Sequence, residues 1–167
     1  MRSGVRLGVD VGRARIGVAR CDPHAMLATP LETVPRDARG RADVDRILRL
    51  ADEAQAMELV VGLPIGLSGH RTPSTDDAEA FAGRLARAGG PPVRLVDERL
   101  STTQAQGQLR AAGKRTKETR GVIDQAAAVV ILQHALDSER SRGEAPGTLV
   151  ERPPAGERPA EGGGGEA

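Results

Sequence analysis

Large apolar residues alternate with small or polar ones along Val5-Arg6-Leu7-Gly8-Val9-Asp10-Val11, the period of a strand with two unlike faces. The alternation resumes at Ile16-Gly17-Val18-Ala19 after Gly12-Arg13-Ala14-Arg15, which predicts two strands joined by a tight turn. Pro30 to Val34 is a weaker third strand. From Ala42 to Ala56 the period changes, with Val44, Ile47, Leu48 and Ala51 at helical spacing. Leu59-Val60-Val61-Gly62-Leu63 follows at once, a short apolar run typical of a buried parallel strand. Thr75 to Ala88 reads as a second helix closed by Gly89-Gly90-Pro91-Pro92, and Val93 to Val96 as a further strand. Ser101-Thr102-Thr103-Gln104 fits a capping box that opens a helix to about Ala111, and Val122 to Leu136 is the final helix. This order predicts an α/β fold. An antiparallel three-strand meander is extended by right-handed crossovers into a five-stranded mixed sheet flanked by helices.

The ends of the chain differ in kind. Residues 1–142 form one domain, whereas Gly143 to Ala167 hold seven Gly, four Pro, five Glu and two Arg, and read as a disordered acidic tail. Without that tail the net charge rises from +1 to +4, so the folded part is mildly basic. Much of the excess falls in Arg110 to Arg120, which reads as a mobile basic loop or as a plain solvated charge run. The single aromatic residue, Phe81, argues against recognition by base stacking, which needs two or three rings, so a nucleic acid would be held by its backbone. One cysteine, Cys21, and three scattered histidines exclude a disulfide framework and a Cys-rich zinc site. Cys21 itself reads as a small, partly buried residue at a strand end. The N-terminus has no apolar h-region and the longest apolar run, Ala126 to Leu132, is far short of a membrane span. A cytoplasmic protein with no membrane partner is expected.

Three carboxylates stand in unusual places. Asp10 interrupts the most strand-like stretch, where a lone buried charge is expensive. Glu98 follows directly on the strand ending at Val96, beside Asp97, and Asp124 opens an otherwise apolar helix. With the first strand central and the last helix across the sheet face, the three can converge. Each has a plainer reading. Asp124 could complement the helix dipole, Glu98 could pair with Arg94 or Arg99, and Asp10 could have a buried cation partner. A carboxylate cluster repels itself, and a divalent cation is its natural counter-charge; oxygen ligands without His or Cys point to Mg²⁺ or Mn²⁺. Gly8, Gly12 and Gly17 surround Asp10 and leave room for a phosphate. The loop from Gly62 to Gly69, with Gly66 between them, could bring backbone N–H groups to an anion or simply connect strand to helix rigidly.

The segments VDVGRARIGVA (9 to 19), VVGLPIGLSG (60 to 69), VDERLST (96 to 102) and GVIDQAAAVVIL (121 to 132) together resemble the YqgF (RuvX) family of the RNase H-like superfamily. The similarity covers residues 5 to 137. It implies an RNase H-like nuclease with Asp10, Glu98 and Asp124 as catalytic and metal-binding acids, using one or two Mg²⁺ or Mn²⁺ ions and no organic cofactor. The expected substrate is structured RNA, the precursor of 16S rRNA at its 5′ end, with branched DNA as in Holliday junction resolution the alternative. Arg13, Arg15, Arg99, Lys114, Arg115, Lys117 and Arg120 are the candidate contacts to phosphates, with Gly12, Gly62, Gly66 and Gly69 allowing close backbone approach. Two other classes fare less well. Phosphotransferases that open on the same D-x-G hairpin need a second lobe, for which this chain is too short. A non-catalytic nucleic-acid-binding factor would be expected to lack an acid, and all three are present. A monomer or weak dimer is expected, because no surplus aromatic or Met patch is available for an interface.

Overall fold

Strand β1 (Arg6–Val11) lies inside the sheet, antiparallel to β2 (Arg15–Cys21) on one side and parallel to β4 (Glu58–Leu63) on the other. The computed structural model describes residues 1–66, 68–98 and 117–151. Across the sheet the order is β3-β2-β1-β4-β5-β6, with β3 at Ala28–Pro35, β5 at Val93–Asp97 and β6 at Thr148–Leu149. The meander and the two parallel additions are as the patterning predicts, and the sheet has six strands rather than five. The sixth comes from the segment expected to be disordered. Leu149 pairs with Arg94, the Val150 N–H donates to the Val93 carbonyl at 2.8 Å, and Val150 packs against the core. A short apolar pair was enough to close the open edge of β5.

Alternation along β1 sends Leu7 and Val9 to one face, and Gly8 and Asp10 to the other. The first face is covered by α1 (Ala42–Ala54) and α2 (Pro73–Arg87), whose Val44, Ile47, Leu50, Phe81, Ala82 and Leu85 join Leu7, Val9, Ile16, Leu59 and Val61 in the larger core. Gln55 ends α1 in the left-handed region at φ 54°, and Thr72 opens α2 through a reciprocal capping box with Thr75, with Pro73 following.

The second face is covered by one long helix, α3 (Lys117–Arg142). Its Ala128, Ile131, Leu132, Ala135 and Leu136 pack on Ala19, Cys21, Val60 and Val96. Cys21 is fully buried at the end of β2, its Sγ accepting from the Arg6 N–H. The helix is longer at both ends than the apolar run Val122 to Leu136, because the charged flanks are good helix formers that hydropathy does not register. Its far end is anchored by ions. Arg6, 1% exposed, and Arg2 both donate to Glu139, while Arg2 and Arg94 donate to Glu58. No described helix is long and apolar enough to cross a membrane.

Candidate active site

The seat of α3 on the sheet is made of glycine. A Cβ on Gly17 would fall on the carbonyl oxygen of Asp124, and one on Gly8 would lie 2.7 Å from Leu132 Cβ. Gly17 pairs directly with Asp10, so the helix is lowered onto the strands where the acid stands. Glu98 arrives from the end of β5, with its N–H bonded to the Leu63 carbonyl at 3.2 Å and its side chain buried. A Cβ on Gly62 would lie 2.6 Å from Glu98 Oε2, so the bare backbone of β4 houses that carboxylate. Gly62 thus gives room to an acid of the protein itself.

Asp124 stands in the third turn of α3, not in its first. The dipole explanation of its position therefore falls away, since that effect is confined to the terminal turn. Its Oδ2 accepts from Arg15 Nε at 2.9 Å. Arg15, read as a phosphate contact, is thereby tied to one of the acids while keeping part of its guanidinium exposed. Glu98 does not take Arg94, which is committed to Glu58 at 2.6 Å.

Asp10 feels the other two acids. Asp10 is pushed up from 3.8 to about 7, first by burial and then by the negative fields of Glu98 and Asp124. Among the described residues no three His, Cys, Asp or Glu side chains close into a ready-made ligand set, so the acids are gathered neighbours rather than a finished cage. The donor chemistry suits a hard divalent cation. All three groups are carboxylates, and the raised Asp10 marks a spot where positive charge is wanted.

The glycines expected to admit a phosphate have other occupations. Gly12 N–H closes the β1–β2 turn on the Arg15 carbonyl at 2.9 Å, Gly66 N–H donates to His70 O, and Gly69 N–H to Gly66 O. Those three donors are engaged within their own turns. Arg13 is exposed at the tip of the β1–β2 turn, close enough to help hold Asp77 below the usual carboxylate range, chiefly the work of Arg36. Arg99, Lys114 and Arg115, with the helix expected from Ser101 to Ala111, lie outside the described residues. Lys117 and Arg120 belong to α3, and their side chains are outside the described ones. Sequence reasoning missed the tie between Arg15 and Asp124, and it missed Arg36 altogether; neither is signalled by any local pattern.

A mixed sheet opening on an antiparallel meander, with acids from β1, from the end of β5 and from the helix laid across them, defines the RNase H-like class. Within that class the chain belongs to the RuvX family, whose profile, described as Holliday junction resolvase, matches residues 4–138. It is 64% identical over 152 residues to a protein of Clavibacter michiganensis subsp. michiganensis named "Putative pre-16S rRNA nuclease", spanning 91% of this chain and 94% of that one. A protein of Leifsonia xyli subsp. xyli bearing the same name is 56% identical over 151 residues, 90% of this chain and 97% of the relative. In fold the chain is similar to Thermus thermophilus RuvC, solved in complex with a Holliday junction substrate, at 18% identity and a TM-score of 0.53 over 87% of this chain and 99% of that one.

Proposed function

We propose that this protein is a divalent-metal-dependent endonuclease that hydrolyses phosphodiester bonds in structured RNA, with the 5′ region of pre-16S rRNA as its physiological substrate. The observation supporting the reading is the gathering of Asp10, Glu98 and Asp124 from three distant segments, close enough to push the Asp10 carboxyl up to about 7. Nothing in folding requires three acids to share one end of a sheet. Mg²⁺ or Mn²⁺ held by these carboxylates would supply Lewis-acid activation of water and stabilisation of the departing oxygen. Asp10 and Glu98 present acceptor oxygens from the ends of β1 and β5, on either side of β4, Asp124 presents its own from α3, and Arg15 orients Asp124. Arg13 and Arg15, with Arg99, Lys114, Arg115, Lys117 and Arg120, hold phosphates and read shape rather than sequence. The setting is cytoplasmic, and a single acting subunit suffices for trimming an RNA end.

A second reading, resolution of four-way DNA junctions, is favoured by the description of the family and by the fold shared with RuvC. Symmetric resolution needs two sites related by a two-fold axis, hence a stable dimer. Purified protein is offered a precursor rRNA fragment and a four-way junction, with Mg²⁺, with Mn²⁺ and with chelator, while light scattering follows the mass. Metal-dependent cleavage of the RNA that vanishes in Asp10→Asn, Glu98→Gln and Asp124→Asn supports the proposal. Symmetric nicking of junctions by a tight dimer that spares the RNA overturns it in favour of the second reading.

A further inference from the structure

Arg36, one residue past β3, is bonded to none of the three acids, yet it reaches the turn that runs from Asp10 to Arg15, the partner of Asp124. Its N–H donates to the Ala14 carbonyl at 3.0 Å and its Nη1 to the Gly12 carbonyl at 2.8 Å. Both carbonyls lie in the β1–β2 turn, which begins two residues after Asp10 and ends at Arg15, the residue holding Asp124. On its other side the guanidinium forks onto Asp77 of α2, Nη1 to Oδ2 at 2.9 Å and Nη2 to Oδ1 at 3.1 Å. It also lies over the only aromatic ring, with Cζ 5.3 Å from the Phe81 centroid. Its Nε is buried with no hydrogen-bond partner and faces Asp43 of α1 at 3.6 Å.

A buried donor left unsatisfied costs free energy. A group optimised only to glue β3 to the helices would be expected to bring its Nε within hydrogen-bond distance of Asp43; here Nε stays in an ion pair at 3.6 Å while Nη1 keeps its bond to the Gly12 carbonyl. We propose that Arg36 is the positioning residue of the active-site turn. Its guanidinium clamps the Gly12 carbonyl to the α1–α2 layer, beside the backbone bond from its own N–H to Ala14, and so sets Asp10 at one end of the turn and the Arg15–Asp124 pair at the other. The clamp uses the planar fork: Nη1 and Nη2 hold Asp77 bidentately and so fix the direction of the second Nη1 donor toward the Gly12 carbonyl, a rigidity that a lysine ammonium on a flexible stem does not reproduce. The inference rests on the reading of Asp10 and Asp124 as groups of the reaction.

The test compares Arg36→Met and Arg36→Lys with Arg46→Met. Arg46 makes an equivalent fork, to Glu32 at 2.8 and 2.7 Å, between α1 and β3 and away from the turn. Cleavage is measured where all variants are folded, and hydrogen exchange is followed at the Gly12 amide. Both Arg36 variants should lose on the order of tenfold or more in kcat with a smaller change in KM, as expected of displaced reacting groups. Gly12 should exchange faster in both. Arg46→Met should lose stability while leaving kcat and Gly12 exchange near wild type. Unchanged kcat in the Arg36 variants, or a loss matched by Arg46→Met, overturns the proposal. If the wild-type protein cleaves neither substrate, the functional reading fails, and the exchange of Gly12 alone decides whether Arg36 holds the turn: equal protection in all variants refutes it.

Discussion

Asp10 lends itself to a test that needs no substrate. In the unfolded chain its carboxyl loses its proton near the ordinary 3.8, whereas in the folded protein burial and the fields of Glu98 and Asp124 raise that value to about 7. Between these values the folded state binds more protons than the unfolded one, so this group subtracts stability as pH rises from about 4 to about 7. At ~1.4 kcal/mol per unit, the full loss above pH 7 is about 4 kcal/mol. Asp10→Asn removes the charge at nearly constant volume and puts amide donors beside two carboxylates. In chelator at about pH 8 the variant should therefore melt higher than wild type, by on the order of 10 °C at ~2–4 °C per kcal/mol for a domain of this size. At about pH 3, where the wild-type carboxyl is largely protonated in both states, the difference should nearly vanish. Paired melts at a series of pH values read this directly. Because wild type and variant share every titrating group outside this cluster, acid transitions elsewhere in the protein cancel. Adding Mg²⁺ or Mn²⁺ at about pH 8 should raise wild type and leave the variant nearly unmoved. A gap between the two proteins that does not change with pH, or a variant less stable at about pH 8, would refute the argument that uncompensated negative charge defines this site.

Glu139 has the opposite sign. Hydrogen bonds from Arg2 hold it down to about 2 from 4.5, so its contribution is present above about pH 4.5 and lost as pH falls through about 2. Glu139→Gln leaves the buried Arg6 charge short of its partner and should cost about 3 kcal/mol near neutrality, read from denaturant midpoints, with the difference shrinking in acid. The glycine seats separate fold from chemistry. Gly17→Ala forces a methyl onto the backbone of α3 and should destabilise by about 3 kcal/mol or more, while Gly62→Ala pushes on the flexible end of Ile131 and on Glu98 and should also reduce cleavage at temperatures where the variant is still folded. A chain ending at Arg142 should melt a few degrees below one ending at Glu151, since it loses the β6 pairing and the packing of Val150, together worth about 1–2 kcal/mol.

Much of this molecule is local in origin and was legible without coordinates. The two-residue period of Val5 to Val11, the helical spacing from Val44 to Ala51 and the apolar run at Leu59 to Leu63 each declare their element, because side-chain direction follows backbone period. The acids were legible for a related reason: a charge in a strand that is otherwise apolar conflicts with burial, and such conflicts mark sites. What the tertiary structure decided are the relations between segments far apart in sequence. Thr148 and Leu149 look like part of a tail and become a strand only because β5 offers an open edge. Asp124 looks like a first-turn acid complementing the helix dipole and proves to lie inside α3, because the charged residues before it continue the helix. Gly17 and Gly62 look like space for a ligand and turn out to be seats for α3 and for Glu98. The pairing of Arg15 with Asp124 and the clamp made by Arg36 join residues that no spacing links. A side chain's partner depends on where the sheet brings other segments, and chain periodicity holds no record of that.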